Sequence, residues 1–522
     1  MSMIGAGSIG QARSQAAGGA VGHTHKPGIV RMQSSIHIYK QSLAMLTDLY
    51  QLTMAYAYWK SQIGQKEAVF DLFFRRNPFG GGFSIACGLA YVIDIVNSFR
   101  FDSDDVEYLA ELRGSDDQPL FEDAFLEYLH TLQLQCSIDA IPEGTVVFPQ
   151  EPLIRVQGPI IQCQLLETPL LNSINIQTLI ATKAARVCRA AGEDPVMEFG
   201  LRRAHGIDGA LAVSRAAYIG GCASTSNVLA GKLFGIPVKG THAHSWVMAF
   251  DDEQEAFAKY AEILPNNCIF LVDTYDTLEG VRRAVQVGKS LRQRGHELLG
   301  IRLDSGDLAY LSMHARKILD EGGFPDAVIV GSNDLDEHII HSLKGQGAAI
   351  NVWGVGTKLS TAYDQPAMGG VYKMTALRDP GGKWRYKTKV SEQSIKTTTP
   401  GIHQVRRYRF GDTFVADVIY DTLIGLHDGC TIVDPSDMTR RKQIPRSTQF
   451  EELLVPVFSD GDYVYDAPSI GDIRDRAARQ LAQLDPSIKR FTNPHQYPVG
   501  LEERLFDLKT AQILRIRGVS HE

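Results

Sequence analysis

The sequence predicts an α/β protein whose centre is an irregular parallel α/β barrel, joined to a second α/β domain. Three observations carry this. Short apolar runs at 195–199, 236–240, 268–272, 298–303, 327–330 and 349–353 alternate with amphipathic stretches of helical period, the pattern of parallel strands joined by crossover helices. Six such units in succession favour a barrel of the TIM-barrel kind over an open sheet, although periodicity alone leaves the open sheet standing. Each run also ends at once in a polar or glycine-rich cluster. In a parallel barrel all of these clusters leave the C-terminal strand ends and converge on one rim.

The elements follow in order. Residues 1–40 read as a disordered extension: the first 47 residues contain no Asp or Glu and many Gly, Ala and Ser. An acid-poor transit peptide is the other reading of such a segment. Gly5-Ala6-Gly7-Ser8-Ile9-Gly10 matches GxGxxG, but no strand can precede it and no helical pattern follows, so a dinucleotide site is not expected. Order should begin near Leu43, with Thr47 placed to cap a helix running to Lys60. A strand at 68–74, the turn Asn77-Pro78-Phe79-Gly80-Gly81-Gly82, helices near 104–112 and 122–132, and β structure over 136–159 come next. A long helical stretch, 160–191, leads into the barrel series. After Tyr372 strand-like runs at 414–420, 430–433 and 453–458 precede helices near 470–484 and 500–513. The domains expected are therefore 41–155 with 373–522, and a barrel over 156–372 bearing the catalytic rim.

Bulk chemistry narrows the function. The 522 residues carry a net charge of −7, with 44% hydrophobic and 22% charged residues, ordinary values for a soluble protein. No global attraction to nucleic acid follows from that balance, and no apolar run is long enough to span a membrane. Seven cysteines without a CxxC pair point to a reducing, cytoplasmic setting, with neither a disulfide framework nor a zinc ribbon.

The strand exits carry the chemistry. Gly354-Val355-Gly356-Thr357 and Gly331-Ser332-Asn333 offer backbone N–H groups and hydroxyls to a phosphate, where plain tight turns are the alternative. In Arg302-Leu303-Asp304-Ser305-Gly306-Asp307, Arg302 can fork onto a carboxylate or phosphate. Asp304 or Asp307 can take Mg²⁺ or sugar hydroxyls, and Asp307 is equally well placed as a helix N-cap. In Thr241-His242-Ala243-His244-Ser245 the two histidines lack a third ligand, so no His-based metal site is expected. His244 suits a nucleophile oriented by a carboxylate at its far nitrogen, with Asp273 at the next exit the natural partner. Arg202-Arg203 can meet an anion at the rim.

These residues together resemble the nicotinate phosphoribosyltransferase family. The resemblance runs from about Leu43 to the C-terminus, through Leu46-Thr47-Asp48-Leu49-Tyr50-Gln51, Phe74-Arg75-Arg76-Asn77-Pro78-Phe79-Gly80-Gly81-Gly82, Glu198-Phe199-Gly200-Leu201-Arg202-Arg203-Ala204, the His244 and Arg302 motifs, Gly356-Thr357 and Asn493-Pro494-His495-Gln496-Tyr497-Pro498-Val499. It implies an α/β barrel joined to an α/β sandwich made from both chain ends, in a homodimer with shared sites. It further implies synthesis of nicotinate mononucleotide and pyrophosphate from nicotinate and phosphoribosyl pyrophosphate (PRPP), the first step of NAD salvage from nicotinate. ATP is the implied co-substrate through a phosphohistidine at His244, and Mg²⁺ accompanies the phosphates. Carried over by motif, Tyr50, Thr241 and Arg302 contact nicotinate, Tyr50 from the neighbouring subunit, and Arg202 lines the same pocket. Thr357 and Gly356 bind the 5-phosphate and Asp304 faces the ribose, while Arg75, Arg76, Lys387 and Lys389 are candidates for the diphosphate. His242 has no implied role. Nicotinamide is the rival substrate, but a neutral amide calls for an acidic acceptor, whereas Thr241, Arg202 and Arg302 are donors.

Overall fold

A computed structural model describes residues 42–519. The GxGxxG stretch and nearly all of the acid-free segment lie outside them. The fold is mixed α/β, built on a six-stranded parallel sheet with covering helices, a seven-stranded antiparallel sheet and a six-stranded mixed sheet. Order begins close to where the sequence predicts, with the helix Leu49–Lys60. Its N-cap is Asp48 rather than Thr47, and Asp48 makes no side-chain cap bond. Its carboxylate instead accepts from the Thr168 hydroxyl at 3.0 Å, so tertiary contact outcompetes local capping.

The parallel sheet consists of six strands in the spatial order Ser224–Thr225, Val196–Glu198, Val352–Val355, Val328–Gly331, Gly300–Leu303 and Ile269–Leu271. Every neighbouring pair is parallel. Five of the six predicted runs form strands. The run at 236–240 contributes one parallel bridge, Thr225 to Val238, and a polar pair, Ser224–Thr225, takes the sixth place. The reason lies beneath it. Glu198 is fully buried, and its carboxylate needs donors, which Thr225 Oγ1 (2.6 Å), Ser214 Oγ (3.0 Å) and the Gly200 N–H supply. The packed helices include Glu167–Ala191, Gly206–Ile219, Thr277–Gln293 and Leu308–Glu321.

A seven-stranded sheet takes strands from both ends of the chain: Glu67–Phe74, Ser137–Ala140 and Ile154–Pro159 pair directly or in series with Gly370–Arg378, Arg385–Tyr386, Val455–Ser459 and Asp462–Tyr463. A further six-stranded sheet lies wholly in the C-terminal part. It includes His403–Phe410 and Asp437–Ile444, neither of which the sequence reading found. All seven cysteines are free thiols. Among the described residues no helix is long and apolar enough to cross a membrane.

Candidate active site

The site is assembled where the strands of the parallel sheet end. Arg302 sits on Gly300–Leu303, and its guanidinium is the hub. Nε donates to Ser332 Oγ (2.9 Å), Nη1 to Thr241 Oγ1 (3.1 Å) and Nη2 to Asp304 Oδ1 (2.8 Å). Two strand exits and the segment that follows the 236–240 run are thereby joined through one planar cation, which suits a group with five donors in fixed directions. The guanidinium also lies 5.5 Å from the centre of the Phe199 ring, within cation–π range.

Partial burial opposes ionisation of Asp304. The Ser332 hydroxyl, the Arg302 charge and hydrogen bond, and the nearby His244 outweigh it and hold the carboxyl below its ordinary range. Asp273, whose side chain is only 1% exposed, accepts on Oδ2 from the Asp304 N–H (2.9 Å) and the Ser305 hydroxyl (2.6 Å). Its Oδ1 is buried without a hydrogen-bond partner and faces His244 Nε2 at 3.9 Å. Asp304 Oδ2 stands at the same distance from that nitrogen.

His244 opens the short helix His244–Met248, and its side chain is 39% exposed. Nδ1 lies 3.1 Å from Thr274 Oγ1. The hydrogen-bond partner at Nδ1 is therefore a hydroxyl one residue beyond the Asp273 that the sequence suggested, while both carboxylates flank the other nitrogen beyond hydrogen-bond reach. Asp273 is drawn to the neighbouring strand exit because two donors there compete for it. Ser305 stood inside an expected cluster and Thr274 directly follows Asp273, yet nothing in their residue type set them above their neighbours. Phe199 stood in an apolar run and in the Glu198–Ala204 motif, but neither gave it a role.

The glycine-rich exit differs from its expected form. The strand Val352–Val355 runs through Gly354, where an added Cβ would come within 2.8 Å of the Phe199 ring. Likewise, a Cβ at Gly331 would meet Ile350 at 2.7 Å. Close packing accounts for these two glycines. The exit itself is Gly356-Thr357, where Gly356 precedes the four-residue helix Thr357–Ser360. Lys358 Nζ bonds Asp336 Oδ2 at 2.6 Å, and the other oxygen of Asp336 caps the helix Glu337–Gly345. Asp307 is an N-cap, accepting from the Tyr310 N–H at 3.0 Å.

Tyr50 and Arg202 make no hydrogen bond to Arg302, His244 or Asp304, although the turn that carries Arg202 packs against the helix Thr357–Ser360. Tyr50 is 49% exposed on the first helix; burial, Glu167 and Asp48 raise its phenol above the ordinary range. Arg202 is exposed on the turn Leu201–Arg203. Its neighbour Leu201 lines a cleft of about 520 Å³ together with Ile207, Val228 and Leu229. Arg75 and Arg76 line another cleft, of about 390 Å³, and Arg75 Nε is buried without a partner. Lys373, which sequence reasoning missed, is held below the usual lysine range by burial and by Arg75 and Lys389, against the pull of Glu167.

A parallel-sheet α/β protein with an arginine, two carboxylates and a histidine at one set of strand exits is the class these features define. Models of the nicotinate phosphoribosyltransferase family match in three consecutive parts: the N-terminal domain over 45–175, the family model over 195–415 and the C-terminal domain over 403–509. The chain is 45% identical over 487 residues to nicotinate phosphoribosyltransferase of Bacillus subtilis strain 168, covering 91% of this chain and 96% of that protein. It is 34% identical to the human protein of that name, over 88% of this chain and 95% of the relative. The crystal structure of human nicotinic acid phosphoribosyltransferase superposes with a TM-score of 0.77 at 33% identity, covering 89% of this chain and 99% of that one. This chain belongs to the nicotinate phosphoribosyltransferase family.

Proposed function

We propose that this protein joins nicotinate to the C1 carbon of PRPP, releasing pyrophosphate and forming nicotinate mononucleotide, with ATP hydrolysis coupled through His244. The observation that carries the reading is the Arg302 hub. Three of its five N–H donors are occupied within the chain, which leaves one on each terminal nitrogen for an incoming carboxylate. A neutral amide would gain less from that cation, so the acid is the preferred substrate. The pyridine nitrogen forms the new bond to C1 as the C1–O bond to diphosphate breaks, and the diphosphate takes the bonding electrons. Charge develops on both sides of that bond, and fixed groups that meet it need no reorganisation.

In the ATP step, His244 Nε2 attacks the γ-phosphorus, the bond to the β-phosphate oxygen breaks, and ADP leaves; water later cleaves the N–P bond. A tautomer with Nδ1–H donating to Thr274 leaves the Nε2 lone pair available. Asp273 and Asp304 offset the positive charge that the ring acquires. Among the described residues no cluster of three candidate ligands would hold a metal ion. Mg²⁺ would arrive with the PRPP and ATP phosphates and neutralise charge on the leaving diphosphate, while Asp304 is assigned to the ribose hydroxyls. Gly356 and Thr357 are assigned to the 5-phosphate, and Arg75, Arg76, Lys373, Lys387 and Lys389 to the diphosphate.

The parallel sheet is read as an irregular barrel over 156–372. The sheet that draws on both chain ends is read as part of a sandwich of 41–155 with 373–522. A homodimer with shared sites accounts for Tyr50: Leu46, Leu49 and Tyr50 expose apolar surface, and the cleft beside Arg202 offers a matching apolar face. The cytoplasm is the assigned compartment. Pyrophosphate release is to be measured with PRPP and either nicotinate or nicotinamide, with and without ATP. Turnover of the acid, accelerated by ATP, is expected; equal turnover of acid and amide would overturn the substrate assignment.

A further inference from the structure

The end strand of the parallel sheet, Ile269–Leu271, pairs with Gly300–Leu303 on one edge only. Its other edge has no strand partner: the segment 236–240 bridges only to Thr225, through Val238. Leu271 is buried, and a buried N–H left without an acceptor is costly. Its N–H has one, though not a carbonyl: it donates to His242 Nε2 at 3.2 Å.

His242 suits that task. The residue is only 8% exposed. Its ring stands among Tyr260, Phe257 and Phe270, at centroid separations of 5.1, 6.1 and 6.2 Å. Because Nε2 accepts, the neutral ring carries its proton on Nδ1, 3.4 Å from the Ala243 carbonyl oxygen. A protonated ring would have no acceptor, and the surroundings keep it neutral. Burial, then the facing charges of Arg302 and His244, lower its pKa to about 4, although the Ala243 hydrogen bond pulls the other way.

The neighbours on either side are site residues. Thr241 accepts from Arg302 and donates to the His242 carbonyl at 3.2 Å, and His244 meets Thr274 just beyond the strand that His242 grips. We propose that His242 is a positioning residue: its imidazole replaces a missing strand–strand hydrogen bond, and so sets Thr241 against Arg302 and His244 against the 273–274 exit. This rests on the reading that these residues bind nicotinate and carry the phosphoryl group.

His242→Phe keeps the aromatic packing and removes the acceptor, whereas His242→Gln presents a carbonyl oxygen near the position of Nε2. The full-length parent and both variants are to be compared in nicotinate–PRPP turnover, thermal stability and amide exchange over 269–272. In the Phe variant, Leu271 exchange should accelerate and the KM for nicotinate rise, each about tenfold, the scale of one lost buried hydrogen bond, with the KM for PRPP nearly unchanged. The Gln variant should recover most of both effects. Unchanged exchange in the Phe variant, a Gln variant as impaired as Phe, or KM values for both substrates rising together with a fall in Tm would each overturn the proposal. If the Phe variant does not fold, His242→Leu takes its place. Parental turnover tests the functional reading by itself, and amide exchange reads the His242 bond even where no turnover is found.

Discussion

At the scale of single residues, His244 and Asp304 divide the work by environment. Asp304 is drawn below the ordinary carboxylate range by Ser332, Arg302 and His244 despite its burial. Its ionised form, and the stability it contributes with Arg302, is therefore present through neutral pH and is lost only as pH falls through that lowered value. His244 is partly open to solvent, with both carboxylates near Nε2, an environment that would stabilise positive charge on the ring in the proposed phosphoryl step. His244→Ala is expected to abolish nicotinate-dependent ATP hydrolysis and to leave a slow, ATP-independent synthesis. Equal ATP hydrolysis by variant and parent would reject the nucleophile assignment. The cluster types were legible in the sequence, since Arg, His and Asp at strand exits have few structural reasons to recur. Which nitrogen meets which partner was not: Asp273 and Thr274 are adjacent in the chain, and only backbone direction decides between them.

At the scale of elements, capping and burial explain where helices begin and what they cost. Asp252, Asp276, Asp307 and Asp336 each accept an N–H in the first turn of the helix that follows, the usual use of a short acidic side chain at that position. Glu253, the first residue of the helix Glu253–Ile263, breaks the pattern. It is almost fully buried, Oε1 has no partner, and burial pushes its pKa up to about 7 despite Arg283. The sign follows from linkage. Below its unfolded value of about 4.5 the group is protonated in both states and contributes nothing; as pH rises toward 7 the unfolded chain ionises first and the native state loses stability. Glu253→Gln should therefore raise Tm at pH 8 and lose that advantage as the pH is lowered to 5. An advantage independent of pH would show that shape, not charge, is responsible. Most of the helices and strands read from apolar periodicity were found to within a few residues, but the helix Leu89–Ser98 and the strand Gly370–Arg378 were not read, and the run 236–240 forms no strand of the sheet. His403–Phe410 and Asp437–Ile444 were missed because their outward positions carry charged side chains, among them Arg406, Arg409, Arg440 and Arg441. Each pairs in a hairpin with a strand only two residues away, Thr413–Asp421 and Cys430–Asp434 respectively, so residue type and not distance along the chain hid them.

At the scale of the whole molecule, the position of Tyr50 has a consequence. It makes no hydrogen bond or ring contact with His244 or Arg302 within one chain, so the nicotinate site needs a second copy if Tyr50 belongs to it. Tyr50→Ala and His244→Ala would then impair different halves of each shared site. Mixing the two variants under conditions of subunit exchange should restore roughly a quarter of the parental ATP-coupled activity, the statistical share of intact sites in a two-fold dimer. Activity of the mixture no greater than the sum of its parts would place Tyr50 and His244 in the same half-site, or Tyr50 outside it.

What the sequence alone determined was five of the six strands of the parallel series, the residue types at their ends and, through ordered motifs, the family, because periodicity and residue type are local properties written along the chain. Only the tertiary structure decided that Ser224–Thr225 rather than 236–240 joins the sheet, that Gly354 makes room for Phe199, and that His242 bridges to Leu271. Each depends on a buried group's need for space or for a hydrogen-bond partner, and that need is set by residues that come together only when the chain folds.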